Sequence, residues 1–493
     1  MLLTMGISLY TSRLVLEALG IDDFGLYDVV SGIISLFVVI NGALSAGTSR
    51  FILFELGRGD KETLRKTFNA SFGIHILIAL IVFILAETVG LWYLNTYLVV
   101  PPGRMAAANW VYQFSIISTM FGLTQVPYNA LIIAYERMKI YAWISIAEAA
   151  FKLLLVFILL YFNSIDKLIY YGLMLSLWII AIQIFYRFYC IRHFPESKLT
   201  IVKEKSYYAQ MLSFSLWDLM GYFCMSGNSQ GINLLINYFF GVAVNAARGV
   251  AFQVERAITQ FSNNFMVAVK PQIVKLYAAG QIDKMMSLVF ESSKYAYFLL
   301  YIVALPIFLE ADYIISIWLK TVPDQSTLFV RCIILICMIR AFASPVVQAV
   351  HATGNIKWLN LYAGGASILL TIPATYLFYQ WGYPAVATFY VIGATSLLCN
   401  YLELYTLKKE IPFSIINYTV RVYGKGLLIT LLSVIPVYFL HNALEKSFVR
   451  LFLVGFADVT VVGLLVFFIG ISSADRQKLV ALIKNKIEYY VKR

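Results

Sequence analysis

Apolar runs of about 20 residues recur along the whole chain, each long enough to carry an α-helix across a hydrocarbon layer of roughly 30 Å. Fourteen such windows fall near 2–19, 26–49, 68–92, 107–133, 142–162, 167–188, 209–236, 241–268, 290–312, 327–350, 358–380, 384–405, 421–440 and 449–471. The pattern predicts an all-α polytopic membrane protein. The polar segments between the windows alternate in basic content. One set, including Arg50–Lys66, Arg137–Lys139, Arg187–Lys205, Lys270–Lys294, Lys408–Lys425 and the tail, carries 27 Lys and Arg residues; the opposite set carries seven. Because basic loops stay on the cytoplasmic side, both termini are expected in the cytoplasm.

The chain also repeats itself. Pro127…Lys139 and the span after it match Pro345…Lys357 and its following span at an offset of 218. Gly57-Arg58-Gly59-Asp60-Lys61 resembles Gly280-Gln281-Ile282-Asp283-Lys284 at an offset of 223. Together these align spans two to five with eight to eleven in the same order and membrane orientation. Two pseudo-repeated six-helix lobes with a site at their interface are a transporter arrangement. The expected division is an N-terminal lobe over 1–190, a cytoplasmic linker over 191–208 and a C-terminal lobe over 209–407. Two additional transmembrane helices over 408–471 and a basic cytoplasmic tail over 472–493 complete it. The basic segments Gly57–Phe68 and Gly280–Phe290 read as short interfacial amphipathic helices.

Within this apolar frame, residues 218–264 stand out. Asp218, Asn228, Gln230, Asn233, Asn237, Asn245, Arg248, Glu255, Arg256, Asn263 and Asn264 occupy spans seven and eight. An ionisable group at membrane depth costs roughly 2.5–3.5 kcal/mol on insertion scales, so such groups face a wet or protein-lined interior. Ser226, Gln230, Asn233 and Asn237 share one helical face, and Asn245, Arg248, Glu255, Thr259 and Asn263 another. The amides have two readings, bridging helices by hydrogen bonds or lining a cavity. Arg248 and Arg256 either pair with Glu255 or Asp218, or present a cationic surface to an anion such as phosphate or pyrophosphate. Glu148 and Lys152, four apart on span five, have the spacing of an intrahelical ion pair. Arg13 and Arg340 are single cations near or within spans one and ten, with snorkelling to an interface as the alternative to a site. Asp458 stands alone in span fourteen, without an assignment.

Composition narrows the function further. At 61% hydrophobic and 13% charged, the 493 residues fall far from the roughly 25% charged residues of a soluble domain. A net charge of +12 would suggest nucleic acid in a soluble protein; here the cations sit at span ends and report topology, so no nucleic-acid partner is expected. The five cysteines lie in or beside apolar runs without metal spacing and read as small buried hydrophobes. The four histidines are scattered, no Gly-x-x-x-x-Gly-Lys-Ser/Thr loop is present, and the longest hydrophilic stretches are about 20 residues. No metal, no cofactor and no catalytic site are expected. Met1 opens directly into a span without a cleavable signal pattern.

Several runs resemble a known family. Gln230-Gly231-Ile232-Asn233, Asn237-Tyr238-Phe239-Phe240-Gly241 and Val244-Asn245-Ala246-Ala247-Arg248-Gly249 are similar to a segment of Wzx-type bacterial polysaccharide flippases. So are Asn264-Phe265-Met266, Lys270-Pro271-Gln272-Ile273 and Tyr277-Ala278. In the N-terminal part, Ser8-Leu9-Tyr10-Thr11-Ser12-Arg13, Asp23-Phe24-Gly25 and Arg50-Phe51…Glu55-Leu56-Gly57 carry the likeness. The resemblance implies the multidrug/oligosaccharidyl-lipid/polysaccharide exporter (MOP, MATE-like) superfamily, two six-helix lobes in a V, and residence in the bacterial inner membrane. It implies as substrate an undecaprenyl-pyrophosphate-linked oligosaccharide, such as an O-antigen unit of lipopolysaccharide, with membrane lipids and polysaccharide assembly proteins as partners. It also implies functional arginines on spans one, two and eight, which correspond to Arg13, Arg50 and Arg248.

The expected mechanism is alternating access. Arg248, Arg256, Lys152, Arg13, Arg50 and Arg340, with Asn233 and Asn245, are the candidate substrate-binding residues. Asp218, Glu255 and Glu148 are the candidates for coupling to H+ or Na+. A MATE-like drug exporter keeps the fold but favours an acidic, aromatic pocket. A membrane-embedded polymerase or ligase requires a long loop with catalytic groups, which the sequence lacks.

Overall fold

The computed structural model describes residues 38–471 except 97, 99, 101, 162–165 and 320–321, together with scattered positions between 11 and 30 and residues 476 and 477. Among the described residues there are helices and turns but no strand. The chain divides into two compact units, Met1–Leu219 and Met220–Arg493.

In the first unit the helices are α1 (Val38–Arg58), α2 (Lys61–Thr96), α3 (Met105–Ala134), α4 (Met138–Tyr161) and α5 (Lys167–His193). Each start has a local cause. Asp60 caps α2 by accepting from the Glu62 and Thr63 N–H groups at 3.1 and 3.0 Å, and Asp166 caps α5 in the same way through Leu168 and Ile169. α3 is the hub, packing against α1, α2 and α5. Where α2 widens into a π turn at Ala86–Gly90, the Tyr112 hydroxyl of α3 donates to the Ala86 carbonyl at 2.8 Å. Gly90 leaves room for that ring, since a Cβ there would overlap the Tyr112 hydroxyl.

A helical run Lys205–Ala278 crosses from the first unit into the second and is broken at Gly241 into α6 (205–240) and α7 (242–278). Gly241 has φ +79 and ψ −175, a backbone conformation that a side chain would strain. This break falls on the first residue of the expected span 241–268, just after the gap that follows 209–236. The second unit continues with α8 (Ile282–Leu309), α9 (Ala311–Trp318), α10 (Ser326–Ala341), α11 (Ser344–Thr353), α12 (Lys357–Gln380), α13 (Ala387–Glu410), α14 (Ile415–Ala443) and α15 (Phe448–Gly470). The expected span 327–350 is a bent pair: α10 and α11 meet at 41°, with Pro345 in the first turn of α11, where it lacks the N–H that would continue the helix. The hub here is α8, packed against α10, α11, α14 and α15, while α13 packs on α10, α11 and α12. The two helices outside the repeat therefore dock on the second unit.

Many large apolar side chains, such as Trp143, Phe188, Leu369 and Phe456, are exposed, as a lipid-facing surface requires. Eight described helices are long and apolar enough to cross a membrane, or nine if the bent α10–α11 pair is one span.

Two sequence expectations change. Residues 61–68 and 282–290 are not separate interfacial helices; they are the first turns of α2 and α8, continuous with the apolar span. Capping at Asp60 and the good helix formers that follow favour one long helix over a bend at the membrane surface. The repeat register also shifts at its first match. Gly59 and Gly280 both adopt left-handed φ, +78 and +71, and close equivalent turns by Gly59 N–H to Leu56 O (3.2 Å) and Gly280 N–H to Tyr277 O (3.0 Å). That pairing is an offset of 280 − 59 = 221, two less than the letter match. The second match holds at 218: Glu136 and Gly354 are both left-handed, and bond Ile133 O and His351 O at 3.0 and 3.1 Å.

Candidate functional site

In the second unit the polar residues of α6 and α7 meet around the Gly241 break. Arg248 is buried; its Nη2 donates to the Ser229 carbonyl at 2.9 Å and to Ser229 Oγ at 3.3 Å, and its guanidinium lies 4.3 Å from the Phe252 ring centre. The side chain thus ties the start of α7 back onto α6 through neutral groups. No carboxylate pairs with it among the described residues.

Glu255, two turns further on the same face, accepts from Arg340 Nη1 at 3.4 Å. Arg340 Nε also donates to Ser396 Oγ at 3.1 Å, so α7, α10 and α13 share one polar contact set. Of the two alternatives weighed for the arginines, Glu255 pairs with Arg340, not with Arg248. Arg256 is exposed. Asn233 Nδ2 donates to Gln230 Oε1 at 3.5 Å along α6, and Asn245 Oδ1 is buried without a hydrogen-bond partner among the described residues. Tight helix packing supports this region: a Cβ on Gly231 would sit 2.4 Å from Ile372 Cδ1 of α12, and Asn228 Nδ2 donates to Ser367 Oγ at 3.0 Å.

In the first unit Arg50, Arg58 and Glu55 line a cavity of about 150 Å³ closed by residues of α1, α2 and α6. The buried Arg50 guanidinium lies 4.6 and 4.8 Å from the Phe51 and Phe54 ring centres. Lys152 and Glu148 form the intrahelical pair that their spacing suggested, at 2.7 Å, with both side chains more than 40% exposed. Asp218 is buried at the end of this unit. Arg13 lies outside the described residues.

Two groups were not visible as site candidates in the sequence. Glu403 on α13 has a buried Oε2 without a partner among the described residues, and Arg340 is the cation within its electrostatic reach. Arg187 reads as a loop-end cation, yet it folds back along α5 to bond Thr124 Oγ1 (2.5 Å), Gln125 Oε1 (3.2 Å) and the Phe121 carbonyl (3.3 Å) of α3. A carboxylate at the end of an apolar window carries no sign of which way it turns; a helix-face plot relative to α10 was the signal available for Glu403.

No family model matches the chain, and no curated protein sequence matches it. Solved structures do. An outward-facing multidrug resistance MATE family transporter of the MOP superfamily superposes with a TM-score of 0.70 at 12% identity, covering 83% of this chain and 93% of that one. A MATE transporter in the bent conformation gives 0.69 at 14%, covering 83% and 94%. The Vibrio cholerae MATE transporter VcmN in the bent form gives 0.66 at 15%, covering 83% and 93%. With its apolar helices long enough to cross a membrane, the chain is an all-helical, multi-pass membrane protein with the fold of the MATE transporters.

Proposed function

We propose that the protein is a flippase that carries an undecaprenyl-pyrophosphate-linked oligosaccharide from the cytoplasmic to the periplasmic leaflet by alternating access. The observation that carries this reading is Arg248: a buried guanidinium bonded to neutral oxygens, so that its charge is left for an anionic ligand. A planar guanidinium forms parallel hydrogen bonds to phosphate oxygens, and a low-dielectric setting strengthens them. Arg340, balanced by one weak contact to Glu255, and the exposed Arg256 extend the cationic surface within the second unit. Arg50, Arg13 and Lys152 remain the first unit's own candidates for binding an anionic substrate, whose prenyl chain stays in lipid. Glu255, Asp218, Glu148 and Glu403 are the candidate carboxylates for coupling to H+ or Na+. The basic loops favour cytoplasmic termini, and the resemblance to Wzx-type flippases implies the bacterial inner membrane.

The test is surface glycan display in a strain lacking the gene. Arg248→Ala and Arg340→Ala, each confirmed in the membrane fraction, are expected to abolish display, with Arg248→Lys recovering part of it. Wild-type display from both alanine variants refutes the cationic site. A second reading, a MATE-like exporter of drugs or other small molecules, is favoured by the multidrug transporter among the structures of this fold. It predicts intact glycan display and increased drug sensitivity in the deletion strain.

A further inference from the structure

The docked pair α14–α15 buries an acid that the proposed transport site does not use. Asp458 is fully inaccessible, and neither carboxyl oxygen has a hydrogen-bond partner among the described residues. The helices that pack on α15 are α8 and α14. Tyr301 of α8 is within electrostatic reach of Asp458, and Tyr301 and its neighbour Tyr297 are in turn bonded to Thr430 and Ser433 of α14. These hydroxyls are linked to one another: Tyr297 Oη to Thr430 Oγ1 at 2.6 Å, Tyr301 Oη to Ser433 Oγ at 2.8 Å and to the Thr430 carbonyl at 3.3 Å. Val454 and Val462, one turn to either side of Asp458 on α15, are fully buried as well.

Arg450 and Lys294, the buried cations among the described residues of these helices, are engaged elsewhere. Arg450, eight residues earlier on α15, donates to Glu310 Oε2 at 2.6 Å and to the Leu444 carbonyl at 3.3 Å. His441 of α14 is bonded to Glu310 Oε1 at 2.8 Å. Lys294 of α8 holds Glu291 at 2.8 Å and the Gly470 carbonyl at 3.4 Å. An ionised carboxylate without a counter-charge or a donor is the costliest group to keep in a membrane interior, and the same group as a neutral acid costs far less. A leucine or an asparagine would serve packing as well, so what an acid adds at this position is a proton that can be taken up and given back.

We propose that the buried, unpartnered Asp458, with the Tyr301 hydroxyl within its electrostatic reach, is a proton-binding site within the α8–α14–α15 helix trio. Its occupancy is a property of this chain alone; its use in driving transport rests on the flippase reading above.

The site is tested by infrared spectroscopy of the purified protein in lipid. At neutral pH the wild type is expected to show the carbonyl band of a protonated carboxylic acid, which shifts on transfer to D2O and is missing from Asp458→Asn. Tyr301→Phe, which keeps the acid, is expected to displace the band, so the assignment stands or falls even where Asp458→Asn does not fold. A spectrum without this band, a band unchanged in both variants, or carboxylate bands that respond to added sodium all overturn the proposal. Failure here leaves the Arg248 result untouched, and loss of the flippase reading leaves the band in place.

Discussion

The helices α2 and α8 occupy the same position in the two repeated units, and they live in different solvents. Of the most apolar window of α2, 28% is buried; for α8 the share is 61%. With the register set by the Gly59 and Gly280 turns, Ile76, Leu80, Ile84 and Val89 of α2 correspond to Tyr297, Tyr301 and Leu305 of α8 and to Glu310, its C-terminal cap. The four α2 residues are about half exposed and apolar; their four counterparts are buried and three of them are polar. One repeated helix has kept a lipid-facing stripe, and the other has turned that stripe into the seat of α14 and α15. Lipid tails are as apolar as leucine, so greasy faces do not by themselves hold two helices together in a bilayer; hydrogen bonds and close packing select the partner. The substitution of tyrosine and glutamate for isoleucine, leucine and valine is what such a docking site requires.

The strongest way to break this comparison is to remove the charge pair that fixes the docked helices. Arg450 and Glu310 have side-chain exposures of 7% and 0%, so losing one partner strands the other charge. Arg450→Ala is expected to cost about 3–5 kcal/mol, read as a large fall in the thermal unfolding midpoint in detergent. Replacing both partners, Glu310→Leu with Arg450→Met, is expected to recover most of it, because the penalty is the unpaired charge. If the single variant unfolds like the wild type, the docking is held by packing alone and the polar stripe has another purpose.

The first unit has its own arginine clasp, and it is wetter. Arg104, at the start of α3, bonds Asp23 (2.5 Å) and Asp166 (2.5 Å) with its side chain 27% exposed. Partial burial works against the charge on Asp166, but the Arg104 guanidinium and the Leu168 and Ile169 N–H groups outweigh it and hold the carboxyl below its usual range. The stabilisation is therefore complete above the ordinary aspartate value of about 3.9 and is lost as pH falls through the lower folded value. Asp166→Ala, which also removes the α5 cap, is expected to cost about 1 kcal/mol. Asp166→Asn keeps the cap and removes the acid-dependent part, so its unfolding midpoint falls less between neutral pH and pH 3 than that of the wild type. An unchanged acid response in Asp166→Asn would show that other carboxyls set it.

These contrasts mark what could be read from the sequence. Long apolar windows and alternating loop charge report a solvent, lipid, that acts on every residue locally; hence the spans and the repeat were visible in the letters. The boundary between spans seven and eight was read close to the Gly241 break, whereas the bend before Pro345 was not read and 327–350 was expected as one span, although glycine and proline both act on their own backbone. The site was less legible because its content is pairwise across helices. Arg248 was visible as a cation at membrane depth, but its choice of Ser229 over Glu255, and Glu255's choice of Arg340, depend on the tertiary rotation of α7 and α10. Asp458 was visible as a lone acid and stayed unassigned because Tyr301 lies on a helix distant in sequence. The two-residue shift of register shows the same limit: Gly57 matched Gly280 as a letter, while the left-handed turn belongs to Gly59.

The smallest expected effect is the sharpest control on the comparison. Ile84 of α2 is 51% exposed, and its counterpart Leu305 of α8 is 5% exposed. Truncating a buried leucine leaves a cavity and costs about 2–5 kcal/mol, because the surrounding side chains relax incompletely. Truncating Ile84 leaves no cavity, since an acyl chain moves into the space and the helix keeps its backbone bonds. Ile84→Ala is therefore expected to change stability by less than about 0.5 kcal/mol, the range of substitutions that touch no packed feature. A loss at Ile84 of the size expected for a buried leucine would mean that protein, not lipid, covers this face of α2. The two repeats would then have kept the same docking surface, and the polar residues of α8 would not explain why α14 and α15 settle on the second unit.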